Sequence, residues 1–333
     1  MIYIAAPLGF TSGGPELLHQ LASVLRLMNL DSRMIYYTNQ NAFTVAEAPE
    51  VYRKYQTVAE EDLTRVDSSE NVIVFPETAL TLMNQFHKCG RIIWWMSVDN
   101  YVNLYQKMFD NIDPFHLSED TTVFHLVQSR YALEFIMHQL KISEERIAYL
   151  SDYINDTFMK EQPHKVMLDE NERAEQNQSF GGDKKDIVIY NPQKGARYLE
   201  ILKEYAPEIK WIPIEHMTPE QVSGLLSTAK VYIDLGTHPG KDRIPREAAM
   251  SGCCVITNKM GAAAYYEDIP IPDQYKFEDV PGSLVQIKCL IKDIFRDYEG
   301  HYSDFDDYRT MIASEKQWFV EDVIHIFQNQ LWK

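Results

Sequence analysis

Basic side chains cluster in the segment 238–257, HPGKDRIPREAAMSGCCVIT, where a loop turns into an apolar stretch. Proline restricts the residue before it, so we expect a helix to start at about Pro245 or Arg246. Lys241, Arg243 and Arg246 would then surround a helix N-terminus, where the helix dipole disfavours cations. An anionic ligand would explain this choice of residues.

Acidic side chains in the same region offer a second explanation. Asp234, Asp242 and Glu247 could pair with the basic residues, and no ligand would then be needed. Surface ion pairs contribute little to stability, so pairing alone does not require such clustering. In the first turn of the helix, Glu247 could instead accept two hydrogen bonds from a ribose diol. His238 becomes a candidate site residue because its neighbours in the sequence are charged.

The segment 190–195, YNPQKG, has a related pattern. An apolar strand ends at Tyr190, Asn191 begins a turn, and Lys194 and Gly195 open a helix. A lysine beside a helix N-terminus suits a diphosphate, because the ammonium charge and the backbone dipole add. The alternative is an exposed lysine on a tight turn.

A glycine pair lies in the segment 7–15, PLGFTSGGP, after the first predicted strand. Gly13 and Gly14 would let the backbone approach a ligand, and a helix beginning near Pro15 offers free N–H groups. This arrangement suits a phosphate or an acceptor hydroxyl, although a structural turn explains it equally well. The segment matches neither a P-loop nor a dinucleotide-binding glycine motif.

Short apolar runs alternate with helical patterns in both halves of the chain, which predicts two open, mostly parallel α/β domains. In such sheets, ligands bind outside the carboxyl ends of the strands, so we expect a cleft between two facing domains. The predicted boundaries are 1–155 for the first domain, 156–185 for a linker or mobile loop, 186–300 for the second domain, and 301–333 for terminal helices that return to the first domain.

Other predictions concern single elements and side chains. Helices are expected over 80–88 and from a capping box at Ser314 and Gln317. Glu77 and Asp99 follow strands of the first domain and are candidates for acceptor contact or proton handling, as catalytic residues together with His238. The side chains of His125, Trp94, Trp95, Cys253 and Cys254 lie within strands and are expected to be packed in the core.

The segment from Glu247 to Ile256, EAAMSGCCVI, resembles the E-A-x-x-x-G-x-P-V-I signature of retaining GT-B glycosyltransferases of the family 4-like, "group 1" type. The stretches GGPELLHQLASVLRL and YNPQKG are similar to the family's glycine-rich helix and diphosphate-binding loop. The resemblance implies a GT-B fold, a nucleotide-diphosphate sugar as donor, Lys194 on the diphosphate and Glu247 on the ribose. It also implies retention at the anomeric carbon and no obligatory metal or other cofactor.

The sequence departs from that family at Pro239, where the usual pair E-x7-E has its first glutamate. Asp242 or the backbone of Pro239, Gly240 and Lys241 could substitute. The expected substrate-binding residues are Gly13, Gly14, Asn191, Lys194, Gly195, His238, Pro239, Gly240, Lys241, Asp242, Arg243 and Glu247. A nucleotide-sugar epimerase or hydrolase, or a non-catalytic nucleotide-sugar-binding subunit, remains an alternative.

The overall charge restricts the partners. Asp and Glu number 49 against 32 Lys and Arg, a net charge of −17 over 333 residues, so nucleic acid is not an expected substrate. The amino terminus lacks the basic region of a signal peptide, and no apolar run reaches the length of a membrane span. We therefore expect a cytoplasmic protein. The family resemblance implies that it is a hexosyltransferase of bacterial surface-polysaccharide synthesis. Its acceptor would be a glycan or a lipid-linked sugar, with transient contact at the inner membrane face.

Overall fold

The computed structural model describes residues 1–9, 11–159 and 184–330, and the predicted linker 156–185 falls largely outside them. The chain forms two compact units. The first comprises Met1–Asp152, Pro239–Lys241 and Lys316–Lys333, and the second comprises Tyr153–His238 and Asp242–Glu315. Among the described residues, no helix is both long and apolar enough to span a membrane.

The first unit is built on a seven-stranded sheet with helices between its strands. Its elements are β1 (Ile2–Pro7), α1 (Gly13–Leu27), β2 (Ser32–Tyr37), β3 (Phe43–Thr44), β4 (Val72–Pro76), α2 (Leu80–Met83), β5 (Gly90–Trp95), α3 (Val98–Tyr101), α4 (Lys107–Phe109), β6 (Val123–Val127), α5 (Arg130–His138) and β7 (Ile147–Tyr149). The strand order is β3-β2-β1-β4-β5-β6-β7, and only β3 is antiparallel to its neighbour.

The second unit contains a five-stranded, fully parallel sheet in the order β12-β11-β10-β8-β9. Its elements are β8 (Lys185–Tyr190), α6 (Ala196–Tyr205), β9 (Lys210–Pro213), α7 (Pro219–Thr228), β10 (Ala229–Asp234), α8 (Arg243–Met250), β11 (Cys254–Asn258), β12 (Lys276–Phe277), α9 (Pro281–Arg296) and α10 (Tyr298–Ser303). A final helix, α11 (Asp306–Ile324), begins in this unit and continues into the residues counted with the first unit.

The two parallel sheets confirm the predicted fold class, and the burial of their strands explains it. Every residue of β4 and of β11 is buried, because helices cover both faces of a parallel sheet. Trp94 and Trp95 of β5 are fully buried, and the Trp94 ring stacks on Phe319 of α11 at 6.3 Å. Trp95 Nε1 donates to His125 Nδ1 at 3.0 Å, so the packed histidine is also confirmed.

Three predicted helix boundaries are wrong. The helix expected over 80–88 ends at Met83. Helix α8 begins at Arg243, two residues before Pro245, because the first-turn N–H groups have no intrahelical partner and proline loses nothing there. Ser314 lies inside α11, where its hydroxyl donates to Thr310 O at 3.0 Å, so it caps no helix.

A buried ion pair joins two helices of the second unit. Arg246 of α8 and Glu315 of α11 are each about 1% exposed, and Arg246 Nη1 lies 2.7 Å from Glu315 Oε2. Arg246 Nε also donates to the carbonyl of Asp242 at 3.2 Å. The guanidinium therefore ties the start of α8 to α11.

We expect Arg246→Ala to lower the free energy of unfolding by about 3–5 kcal/mol, because it leaves the Glu315 carboxylate buried without its counter-charge. Chemical denaturation followed by circular dichroism measures the change. Arg296→Ala is the control, since Arg296 pairs with Asp293 at the surface and should cost less than about 1 kcal/mol. Equal losses in the two variants would contradict this role.

Candidate functional site

Two loops interlock at the carboxyl ends of β8 and β10 in the second unit. Asn191 O accepts from Lys194 N at 3.0 Å and closes the turn that follows β8. Gly195 has φ +60°, and a Cβ there would lie 2.3 Å from Leu235 O, so only glycine fits. A Cβ on Gly236 would lie 2.7 Å from the Lys194 Cβ. The contact between the two loops therefore holds the Lys194 side chain beside the loop that follows β10.

Four side chains form a charged cluster at this point: Lys194, Asp234, His238 and Asp242. Lys194 Nζ lies 2.8 Å from Asp242 Oδ2 and donates to the carbonyl of Thr237 at 2.7 Å. His238 Nδ1 lies 3.0 Å from the same Asp242 oxygen, and His238 Nε2 lies 3.8 Å from Asp234 Oδ1. Asp242 is thus shared by an ammonium and an imidazole.

The pKa shifts in the charged cluster favour its ionised form. Burial alone would lower the pKa of His238, but the bond to Asp242 and the charge of Asp234 raise it overall. Burial alone would raise the pKa of Asp242, but His238 and Lys194 lower it overall. The cluster therefore stabilises a protonated His238 beside an ionised Asp242.

Three members of the charged cluster could also act as metal ligands. Asp234, His238 and Asp242 each offer one ligand atom, and these atoms lie within 4.8 Å of one another. In this structure the Lys194 ammonium already supplies a positive charge at Asp242. The sequence predicts Asp234 only as an ion-pair partner. An acidic residue at the carboxyl end of a buried parallel strand is, however, itself an indication of a binding site.

Helix α8 carries two further predicted residues next to the charged cluster. Asp242 is its N-cap residue, Arg243 is its first residue, and Glu247 is 9% exposed in its second turn. The interpretation of Arg246 as part of a ligand-binding group of cations is wrong, because its guanidinium is buried against Glu315.

The residues Pro239, Gly240 and Lys241 contact other parts of the first unit, to which they belong. Pro239 O accepts from Val98 N at 2.9 Å, and Lys241 Nζ donates to Ser151 Oγ at 2.8 Å. A Cβ on Gly240 would lie 2.1 Å from Met96 O. Close backbone packing therefore explains this glycine.

The predicted glycine pair occupies the first turn of α1 in the first unit. Gly13 is the first helical residue, and Ser12 is the N-cap. The Tyr52 hydroxyl accepts from Ser12 N at 3.1 Å and fixes the start of the helix. A Cβ on Gly14 would meet no atom of the described residues within 4 Å, so packing against them does not require glycine there.

Glu77 and Asp99 differ in their surroundings within the first unit. Asp99 Oδ1 accepts from the Tyr131 hydroxyl at 2.9 Å. Glu77 is 2% exposed, and its Oε2 accepts from Met96 N at 3.1 Å at the end of β5. Burial raises the pKa of Glu77 to about 7. Its carboxyl group therefore fixes the backbone that leads into α3.

Solved structures with a similar fold include a glycosyltransferase and a sucrose-phosphate synthase. Anabaena HepE in complex with UDP and glucose is 12% identical, and the similarity covers 99% of each chain with a TM-score of 0.63. A glycosyltransferase from Rickettsia africae ESF-5 is 12% identical over 98% of each chain, with a TM-score of 0.59. Sucrose-phosphate synthase from Thermosynechococcus elongatus is 12% identical over 98% of this chain and 97% of its own, with a TM-score of 0.59.

At these identities the similarity establishes the GT-B fold, in agreement with the sequence. A scan against protein-family models finds no match, and a search of curated proteins finds none either.

We expect Glu77→Gln to become more stable relative to the unsubstituted protein as pH rises from 5 to 8. Folding raises the pKa of this carboxyl group from 4.5 to about 7, so the folded state keeps its proton over a pH interval in which the unfolded state has lost it. The folded state therefore loses stability relative to the unfolded state as pH rises through that interval. The loss should reach about 3 kcal/mol, and glutamine, which cannot ionise, avoids it. Urea unfolding at both pH values measures the difference.

Glu144→Gln, at an exposed glutamate of the same unit, is the control and should show no such pH dependence. A stability difference for Glu77→Gln that stays constant with pH would show that Glu77 ionises normally in the folded protein.

Proposed function

We propose that the protein is a glycosyltransferase that uses a nucleotide-diphosphate sugar as its donor. The observation that carries the proposal is the position of Lys194 directly before α6, locked beside the start of α8 by Gly195 and Gly236. The fold similarity to the Anabaena protein bound to UDP and glucose supports it. We infer that the donor diphosphate binds at the amino end of α6 and that Glu247 holds the ribose.

The charged cluster gives this proposal a mechanism. When a sugar is transferred, negative charge develops on the departing diphosphate, and preorganised cations stabilise that charge. Lys194 would exchange its bond to Asp242 for one to a phosphate oxygen, with Arg243 assisting. His238 would stay beside Asp242 and keep its carboxylate compensated, so that Lys194 is free to bind the donor.

The acceptor is assigned to the first unit. The open space at Gly14 and the exposed residues Gly9, Thr11 and Ser12 after β1 favour an acceptor hydroxyl there, with Asp99 as the candidate proton-handling group. We infer a glycan or lipid-linked acceptor, a hexosyl group transferred with retention, and a role in bacterial surface-polysaccharide synthesis at the cytoplasmic side of the inner membrane.

A panel of nucleotide sugars, beginning with UDP-glucose, tests the proposal by thermal unfolding. One donor should stabilise the protein by about 2.7 kcal/mol at one hundred times its Kd, because it binds only the folded state. Lys194→Ala should weaken donor affinity at least tenfold, since a hydrogen bond between charged groups contributes about 1.5–3 kcal/mol. Glu247→Ala should weaken it to a similar extent.

Lys185→Ala, at an exposed lysine that begins β8, is the matched control and should bind the donor normally. Release of nucleoside diphosphate that depends on an acceptor would distinguish a transferase from its alternatives. Donor turnover without acceptor would indicate a hydrolase or epimerase. Donor binding without turnover would indicate a non-catalytic subunit, an alternative that Pro239 favours because it replaces the family's first glutamate. If no nucleotide sugar stabilises the protein, the proposal is wrong.

A further inference from the structure

A cavity in the second unit shares no lining residue with the charged cluster. Its volume is about 300 Å³, and it lies where β11 and β12 end and α9 begins. Its polar and charged lining residues are Lys259, Lys276, Glu278, Ser283 and Gln286. Two lysines and one glutamate leave this lining with a net positive charge, although the whole chain has a charge of −17.

Lys276 is the unusual member of this lining. The residue is only 6% exposed, and among the described residues its ammonium group has neither a hydrogen-bond partner nor an ion-pair partner within 4 Å. Burial lowers the pKa of Lys276 to about 8, although Asp273 and Asp268 act at longer range to raise it. A buried cation normally has a paired counter-charge, because desolvation without one is costly.

The amino end of α9 lies against the same cavity. Val280 is the N-cap residue of this 16-residue helix, and Ser283 is in its first turn. No side chain in the described part of the chain caps the helix, and its first turn contains no acidic residue. The partial positive charge of the helix N-terminus therefore adds to the charges of the two lysines.

We propose that this cavity binds a small dianion of the phosphate class, held by Lys276, Lys259 and the first turn of α9. Two ammonium groups and a helix N-terminus match a dianion better than a carboxylate with one charge. The volume of about 300 Å³ exceeds what free phosphate occupies, so a small phosphate monoester also fits. The site does not depend on the proposed glycosyl transfer, because Lys194, Asp242 and Glu247 take no part in it.

Equilibrium dialysis of the full chain against radiolabelled inorganic phosphate, at pH 7 and constant ionic strength, tests the proposal. We expect one saturable site, displaced by glycerol 3-phosphate but not by equimolar acetate. Lys276→Met should weaken phosphate binding at least tenfold and Lys259→Met about threefold, in line with the loss of one buried and one exposed charge-assisted hydrogen bond. Lys276→Arg should retain binding.

Thermal unfolding gives a second readout that also detects misfolding. Without phosphate, Lys276→Met should unfold at the same temperature as the unsubstituted protein or higher, because an uncompensated buried charge has been removed. With phosphate, the unsubstituted protein and the arginine variant should gain stability, whereas Lys276→Met should not.

Two controls separate this site from other cationic surfaces. Lys185→Met should bind phosphate normally, since Lys185 is exposed and lies outside the cavity. Lys194→Ala should also bind it normally, whatever becomes of its donor affinity. Phosphate binding that survives in Lys276→Met, or that is lost in Lys194→Ala, would overturn the proposal. Displacement by acetate as effective as by glycerol 3-phosphate would replace the phosphate class with carboxylates.

Discussion

One carboxylate, that of Asp242, organises the candidate site. It lies 2.8 Å from the Lys194 ammonium and 3.0 Å from the His238 imidazole, at the N-cap of α8. The His238 ring is buried, whereas the Lys194 and Asp242 side chains are partly exposed, and the Asp242 carboxylate compensates both cations. An acidic N-cap also suits the positive end of the helix dipole. The loop therefore keeps a lysine and a histidine close to a helix N-terminus, where cations alone would be unfavourable, and Lys194 stays available for an anion.

Glycines make this arrangement sterically feasible. Gly195 and Gly236 allow the loops after β8 and β10 to touch, and a Cβ on Gly261 would lie 2.1 Å from the carbonyl of His238. The contact at Gly261 fixes the histidine backbone from the side of β11, while Ala262 N donates to His238 O at 2.8 Å. The loop after β10 therefore contacts the loops after β8 and β11. Larger residues at these positions would move the charged side chains apart by more than a hydrogen bond tolerates.

The sequence predicted the architecture and part of the site because both follow from local patterns. Apolar runs without alternation indicate strands covered on both faces, and the loops after them lie at one edge of each sheet. Lys194, His238 and Asp242 were predicted in this way, and the structure places their side chains side by side. The partner of Arg246 was not, because Glu315 is 69 residues away and α11 has no local feature that marks the contact. Lys276 gave no signal either, since a lysine in a two-residue edge strand is usually exposed.

Lys194 and Lys276 show how the same side chain differs with its surroundings. Lys194 follows the parallel strand β8, and Lys276 begins the parallel strand β12. Each lysine lies near a helix N-terminus. Lys194 has Asp242 and the carbonyl of Thr237 as partners, so a ligand must compete with a bond that already exists. Lys276 is buried without such a bond among the described residues, and burial lowers its pKa to about 8. An anion that binds there replaces no contact with the described residues, and its charge opposes the effect of burial on that pKa. Anion binding at Lys276 should therefore take up protons, most strongly at a pH near the unliganded pKa of about 8.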